Sequence, residues 1–201
     1  FSECNNLRFV HFQKNSELEF IDDFAFSKSS IEEITIPYSV TIIGSNVFEE
    51  CQNLQRIIFH ENSKLQYIDD FAFHNSSINR ISIPREVKMI GIHAFSECLL
   101  LENIEFSRGS KLKFINDYAF SNTNIETLTI PSRLNYIGAR AFFNCKNLNE
   151  FNIVNKSSLK VIEMGTFSKT LIDNIRIPKK TVLIKDGWCE GINLKTIKVS
   201  K

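Results

Sequence analysis

The chain has 201 residues, 43% of them hydrophobic, and a formal net charge of +1 at pH 7. This length and composition allow a folded core and exclude an intrinsically disordered chain. Acids and bases are interspersed, so no clustered basic run predicts nucleic-acid binding, and no apolar run approaches the roughly 18 to 20 residues that span a bilayer.

The sequence repeats with a period of 47 residues, which links Phe1 to Phe48, Phe95 and Phe142. Each period divides into a unit of 25 residues, Phe1 to Ala25, and a unit of 22, Phe26 to Val47. A fixed period of this length is typical of a repeat architecture. We therefore interpret residues 1–201 as a single solenoid domain. Because the chain begins within a repeat, we expect it to be part of a longer protein.

Each unit contains the pattern Leu/Ile-x-x-Ile-x-Phe/Ile, which we interpret as a strand. The last two apolar positions are two residues apart, so both side chains face the core. The pattern occurs nine times and predicts nine short parallel strands, one per coil and stacked on one face. Its central residues are Val10, Ile34, Ile57, Ile81, Ile104, Leu128, Phe151, Ile175 and Ile197.

A second apolar pair follows each predicted strand, as at Leu65 and Ile68, and leads into Asp, Asn or Gly and then Ala-Phe or Val-Phe. Asp, Asn and Gly are good N-caps, so we predict turns and a short helical segment on this second face. In Asp22-Asp23 and Asp69-Asp70 the first carboxylate is expected to cap the segment and the second to be solvated. The recurring Phe is predicted to stack into an interior spine.

The string Ile-Pro-x-x-Val-x-x-Ile-Gly-x-x-Ala-Phe-x-x-Cys-x-x-Leu stands complete at Ile83 to Leu101. With the alternating units, it resembles the leucine-rich repeats of the bacterial surface antigen A-like (BspA-like) class, known from treponemes and from some parasitic protists. The resemblance covers the whole chain and implies a leucine-rich repeat solenoid. The last coil departs from the pattern, since Lys185 replaces the Gly, Trp188 the Phe and Gly191 the Cys.

Four of the five cysteines, Cys4, Cys51, Cys98 and Cys145, recur two coils apart, a separation of about 10 Å by strand spacing. A disulfide needs Cα atoms within roughly 7 Å. We therefore interpret these cysteines as small, weakly polar side chains that satisfy backbone groups in buried turns. Cys189 lies outside this column.

No catalytic pattern emerges from the remaining polar residues. The four histidines, His11, His60, His74 and His93, occupy four different positions of the repeat. No nucleophile has a His and an acid at a spacing that suggests a triad, and no glycine-rich loop could cradle a phosphate. We predict that the chain is not an enzyme and binds no cofactor or metal.

The exposed side of the predicted strands is the remaining candidate for function, because its residues vary while the core positions are constant. Solenoids commonly bind partners through such a face. The alternative interpretation is a solvated polar surface without a partner. The candidate protein-binding residues are Arg8, His11, Arg56, Ile58, Arg80, Ser82, Asn103, Glu105, Thr127 and Thr129.

The functional expectation is a non-enzymatic protein-binding module. The resemblance implies that it is secreted or displayed at the cell surface as an adhesin for host or microbial proteins. The alternative is an intracellular scaffold or structural protein, cytoplasmic in location, with the same fold. Neither interpretation includes a nucleic-acid partner or membrane insertion by this segment.

Overall fold

The computed structural model describes residues 1–154 and 156–199. The nine predicted strands are confirmed, and they lie on one side of a solenoid that we call the front face. The seven strands between the first and the last pleat their two core residues inward, as at Ile81 and Ile83 in the strand Arg80–Ile83, whereas Ile197 and Val199 of the last strand are exposed. The front-face strands are Phe9–Val10, Glu33–Ile36, Arg56–Phe59, Arg80–Ile83, Asn103–Phe106, Thr127–Ile130, Glu150–Ile153, Asn174–Ile177 and Thr196–Val199.

The second apolar pair of each unit forms a strand of two residues, which the sequence pattern did not predict. These short strands pair in parallel as a continuous eight-stranded sheet, the back face. They are Phe20–Ile21, Ile42–Ile43, Tyr67–Ile68, Met89–Ile90, Phe114–Ile115, Tyr136–Ile137, Val161–Ile162 and Leu183–Ile184. Segments that run from front to back form the loop edge, and segments that run from back to front form the turn edge.

The predicted helical segments are wrong, because the described residues contain turns and no helix. On the turn edge Phe71 and Asn75 have φ values of +57° and +52°, and Phe24 and Lys28 repeat this pair. Two left-handed residues four apart cannot belong to a right-handed helical turn. Hydrogen bonds to the next coil hold this backbone in place, as from Phe71 N to the oxygen of Ile92 at 2.8 Å.

The predicted roles of the two carboxylates in each acidic doublet are also wrong, because the second one, which was expected to be solvated, accepts a hydrogen bond. The second carboxylate accepts a backbone N–H of the next coil: Asp23 Oδ1 accepts from Ser45 N at 2.7 Å, and Asp70 Oδ1 accepts from Ile92 N at 2.6 Å. Asp117 does the same for Ala139 at 2.8 Å. A carboxylate at this position therefore ties one coil to its successor, which a helix cap within one coil could not do.

The phenylalanine spine is confirmed as the centre of the core. Between Phe26 and Phe167 seven rings lie parallel in sequence order, with centroids 5.0–5.8 Å apart and interplanar angles of 4–17°. Trp188 continues the spine edge-on, at 6.0 Å from Phe167. Because every coil contributes one ring, the spine fixes the position of each coil on its neighbour.

The predicted role of the cysteine column is confirmed for its three buried members, Cys51, Cys98 and Cys145. Cys98 Sγ donates to the carbonyl oxygen of Phe73 at 3.0 Å and lies 3.4 Å from Ser76 Oγ. Cys51 and Cys145 make the same bonds one period away, each at 3.1 Å to a backbone oxygen. A thiol at this position thus satisfies a buried carbonyl of the preceding coil, which otherwise would carry a desolvation cost.

Candidate functional site

The front face places its variable residues in register, coil upon coil. In the register of the pairs Arg80 stands beside Asn103, and Ser82 beside Glu105. Their side chains alternate with buried Ile81 and Ile83 and are exposed. The strand periodicity thus determines which side chains reach solvent, and the stacking of coils determines which of them become neighbours.

The front-face sheet is interrupted, and a depression opens at its first interruption. The nine strands form one group of three and three groups of two, so Arg56–Phe59 and Arg80–Ile83 belong to different sheets. A depression of about 680 Å³ spans these two strands and the next one. Six of the ten predicted binding residues line it, namely Arg56, Ile58, Arg80, Ser82, Asn103 and Glu105. We call it the front depression.

The floor of the front depression comes from residues that the sequence pattern assigned to the core or to the strand end and not to the binding face. Phe59 is half-buried and Pro84 is buried, and both line the depression beside Ile58. His60, Glu61 and Ser107 complete the lining past the ends of the strands. These residues continue the strand register beyond the last predicted position, and that continuation is the signal that could have identified them.

The charges of the front depression are only partly matched within the chain. Arg56 is ion-paired with Glu33 at 3.2 Å on the exposed surface. Within residues 1–154 and 156–199, Arg80 and Glu105 form no ion pair. Glu61, which also lines the depression, has no ion pair among the same residues. The depression therefore offers one unmatched cation and two unmatched carboxylates above an apolar floor, an arrangement that suits a protein surface of mixed charge.

The other four predicted residues lie outside the front depression. Arg8 is paired with Glu32 at 3.7 Å, and the His11 ring stacks on Phe9 with centroids 6.5 Å apart. Thr129 lines a second depression further along the solenoid, and Thr127 is exposed on the front face. The structure thus brings six of the predicted residues together and leaves four dispersed.

Two histidines on the turn edge share one serine hydroxyl as a hydrogen-bond partner. His74 Nδ1 lies 2.7 Å and His93 Nδ1 lies 3.1 Å from the same hydroxyl, Ser96 Oγ. The His93 ring is stacked between Phe71 and Tyr118, with centroids 4.8 and 4.6 Å away. Burial is the main cause that lowers the pKa of His93, and the proximity of His74 lowers it further.

Acid is therefore expected to destabilise the fold through His93. Its folded pKa lies below the unfolded value of about 6.5, so its contribution is complete above that value and is lost as pH falls towards the folded pKa. His93→Asn removes this titration and suits the left-handed backbone, where φ is +54°. The loss of unfolding free energy between pH 7.5 and 5.5 should be smaller in His93→Asn than in the unsubstituted protein. Equal losses, measured by urea unfolding, would contradict this assignment.

The buried thiols should be chemically inert in the native state. Burial raises the pKa of Cys98 and of Cys145 to about 11, so little reactive thiolate exists at pH 8. Iodoacetamide labelling followed by peptide mass mapping is expected to modify Cys4 and Cys189, which are half-buried, well before the buried Cys51, Cys98 and Cys145. Labelling of Cys98 at the rate seen in urea would show that its turn is open in solution.

Two other kinds of site find no support in the part of the chain that the structure describes. No group of three or more His, Cys, Asp or Glu side chains converges to hold a metal ion there. The same residues include no helix long and apolar enough to cross a membrane. The front depression is therefore the candidate site with the strongest geometric basis.

A comparison with known proteins identifies the family to which the repeat belongs. The family described as "BspA type Leucine rich repeat region" matches residues 1–102 and 88–201, in six copies. No curated protein is similar enough in sequence to count as a relative. Among solved structures, the pneumococcal vaccine antigen PcpA is 26% identical, with a TM-score of 0.55, and the match covers 94% of this chain and 56% of PcpA.

Two further bacterial structures share the fold. A leucine-rich repeat protein from Bacteroides ovatus is 24% identical, with a TM-score of 0.63, over 97% of this chain and 58% of its own. The T. pallidum leucine-rich repeat protein TpLRR is 22% identical, with a TM-score of 0.54, over 83% of this chain and 67% of its own. The chain spans little more than half the length of PcpA and of the Bacteroides ovatus protein.

Proposed function

Because this chain belongs to the BspA-type leucine-rich repeat family, we propose that it is a non-enzymatic protein-binding module that acts through its front face. The observation that carries the proposal is the front depression, where six variable positions from three strands converge. The residues that are constant among the repeats pack in the core. Selection for a partner could therefore act only on the exposed residues that vary from repeat to repeat.

The partner that fits this depression is a protein surface of mixed charge. An acidic group would pair with Arg80, a basic group with Glu105, and an apolar side chain would cover Ile58 and the Phe59 floor. Unpaired exposed charges add specificity and association rate more than affinity, whereas the apolar floor supplies area to bury. Such a partner also accounts for why the two charges are left without ion pairs in the described chain.

We propose further that the protein acts outside the cell, as an adhesin for host or microbial proteins. Support comes from the family and from the similarity to PcpA, which is described as a vaccine antigen. One observation favours the alternative of an intracellular scaffold, because none of the five cysteines is in a disulfide. Biotinylation of intact producing cells with an impermeant reagent separates the two: labelling supports the adhesin, and labelling only after lysis supports the scaffold.

Binding itself is tested by capture on the immobilised recombinant chain, from a host-surface extract and from a cytosolic extract. A protein captured by the unsubstituted chain should bind Arg80→Glu at least tenfold more weakly, because the substitution reverses a central exposed charge. Lys146→Glu changes charge by the same amount on the turn edge and should bind as the unsubstituted chain does. Capture that is absent from both extracts, or unchanged by Arg80→Glu, would overturn the proposal.

A further inference from the structure

The loop edge of the solenoid carries a concentration of positive charge that the linear sequence disperses. Five segments connect front to back strands in the fourth to eighth coils, at residues 84–88, 107–113, 131–135, 154–160 and 178–182. Together they contain ten cations and one carboxylate, Glu86, in a chain whose net charge is only +1. These cations, which we call the basic edge, are Arg85, Lys88, Arg108, Lys111, Lys113, Arg133, Lys156, Lys160, Lys179 and Lys180.

Hydrogen bonds between coils place these segments directly beside one another. Lys111 N donates to the oxygen of Arg85, and Lys113 N to the oxygen of Lys88, each at 2.8 Å. The side chain of Arg85 extends over Gly109, with Nε 3.5 Å from the position a Cβ would occupy there. Residues about 24 positions apart in the sequence are therefore only about 5 Å apart along the stack.

The basic edge is largely unneutralised by the chain itself. Lys111 is ion-paired with Glu86 at 2.6 Å, and it is the only one of the ten cations with an ion pair among the described residues. Arg108, Arg133, Lys156, Lys179 and Lys180 are exposed. A row of cations at this spacing raises the local positive potential and attracts anions, with a strong dependence on ionic strength.

A depression on the basic edge provides a place for an anionic group. It has a volume of about 550 Å³ and is lined by Arg108 and Lys156, with no carboxylate among its lining residues. The hydroxyl-bearing residues Thr129 and Ser132 also line it and can supply hydrogen bonds. Two cations with neighbouring hydroxyls form a site suited to a sulfate or carboxylate group.

We propose that the basic edge binds a linear sulfated polysaccharide, independently of the protein-binding function assigned to the front face. An extended acidic peptide presents side chains on one face only every 6.6–6.8 Å or so, more widely than the coils are spaced. A single-stranded nucleic acid binds partly by stacking its bases on aromatic rings, but the one aromatic ring in the depression, Phe106, packs against the core. A polysaccharide with several anionic groups per repeating unit can match one cation per coil.

The proposal is tested by calorimetric titration of the recombinant chain with heparin as the probe, at near-physiological salt. The test variant is Arg108→Gln/Lys156→Gln. The control, Lys146→Gln/Lys169→Gln, removes two exposed cations from the turn edge. The test variant should bind heparin about tenfold more weakly or worse, and the control within about twofold of the unsubstituted chain. Circular dichroism melting should show that both variants are folded, because all four side chains are exposed.

Three additional titrations identify the class of ligand. Desulfated heparin should bind far more weakly than heparin, and a polyglutamate peptide and single-stranded DNA of matched charge should bind less tightly than heparin. Absence of heparin binding, equal binding by Arg108→Gln/Lys156→Gln, or equal affinity for DNA or polyglutamate would overturn the proposal. None of these outcomes depends on the front face, whose variant Arg80→Glu should bind heparin as the unsubstituted chain does.

Discussion

Phe95→Ala is expected to lower the free energy of unfolding by about 3–5 kcal/mol. Phe95 is fully buried, and its ring stacks between Phe73 and Phe120 with centroids 5.0 and 5.1 Å away. Truncation removes a large apolar side chain and both stacking contacts. Backbone hydrogen bonds between coils hold the coils above and below in place, so these coils cannot collapse into the resulting cavity.

The control for this prediction is Phe114→Ala, on the back face. Phe114 is 42% exposed, so its truncation should cost about 1 kcal/mol or less. Urea unfolding followed by circular dichroism compares the two variants. A loss in Phe95→Ala no larger than that in Phe114→Ala would show that the spine is not the centre of the core.

Gly91→Ala is expected to be nearly as damaging, through overpacking, with a loss of about 2–4 kcal/mol. A Cβ on Gly91 would lie 2.5 Å from the carbonyl carbon of Asp69 and 2.6 Å from the amide nitrogen of Asp70. Both are backbone atoms of the preceding coil, and bonds from Gly91 N to Ile68 O at 2.8 Å hold the two coils at this distance. The methyl group can be accommodated only by separating the coils.

Gly191→Ala is the matched control, because no atom lies within 4 Å of the Cβ it would add. Its φ of +75° imposes a conformational cost of about 1 kcal/mol and no steric clash. Thermal or urea unfolding should rank Gly91→Ala well below Gly191→Ala in stability. The reverse ranking would mean that the coils are not in the close contact described.

The sequence was sufficient for the features that rest on periodicity. Nine recurrences of the apolar pattern predicted nine strands, and one aromatic ring per unit predicted the spine that runs through Phe48 and Phe95. The constant spacing of Cys51 and Cys98 predicted thiols that bond to backbone groups. Each of these follows from side-chain alternation and equivalence of position, which a sequence records directly.

Features that arise from contacts between coils were not predictable in the same way. A strand of two residues such as Tyr67–Ile68 exists only because neighbours pair on both sides, and it is too short to show alternation. The turn at Phe71 has a positive φ, although bulky residues rarely adopt that conformation and no glycine marks the position. Asp70 bonds to the next coil, a partner that local capping rules do not consider.

The two candidate surfaces differ in the same respect. The front-face residues were identified in advance because exposed positions alternate with core positions, and stacking then brought six of them into one depression. The basic edge could not be predicted from the sequence, because its cations occur singly or in pairs along the chain, as Arg108 and Arg133 do. Only the stacking of loops turns isolated charges into a continuous row.

The most direct test of the claim that the front face binds the partner is site-specific photocrosslinking. A benzophenone amino acid placed at Ser82 lies in the front depression, whereas one placed at Lys113 lies on the loop edge, next to the back strand Phe114–Ile115. Illumination with a captured partner should give a covalent adduct from position 82 and none from position 113. An adduct from position 113 alone, or equal yields from both, would contradict binding through the front face.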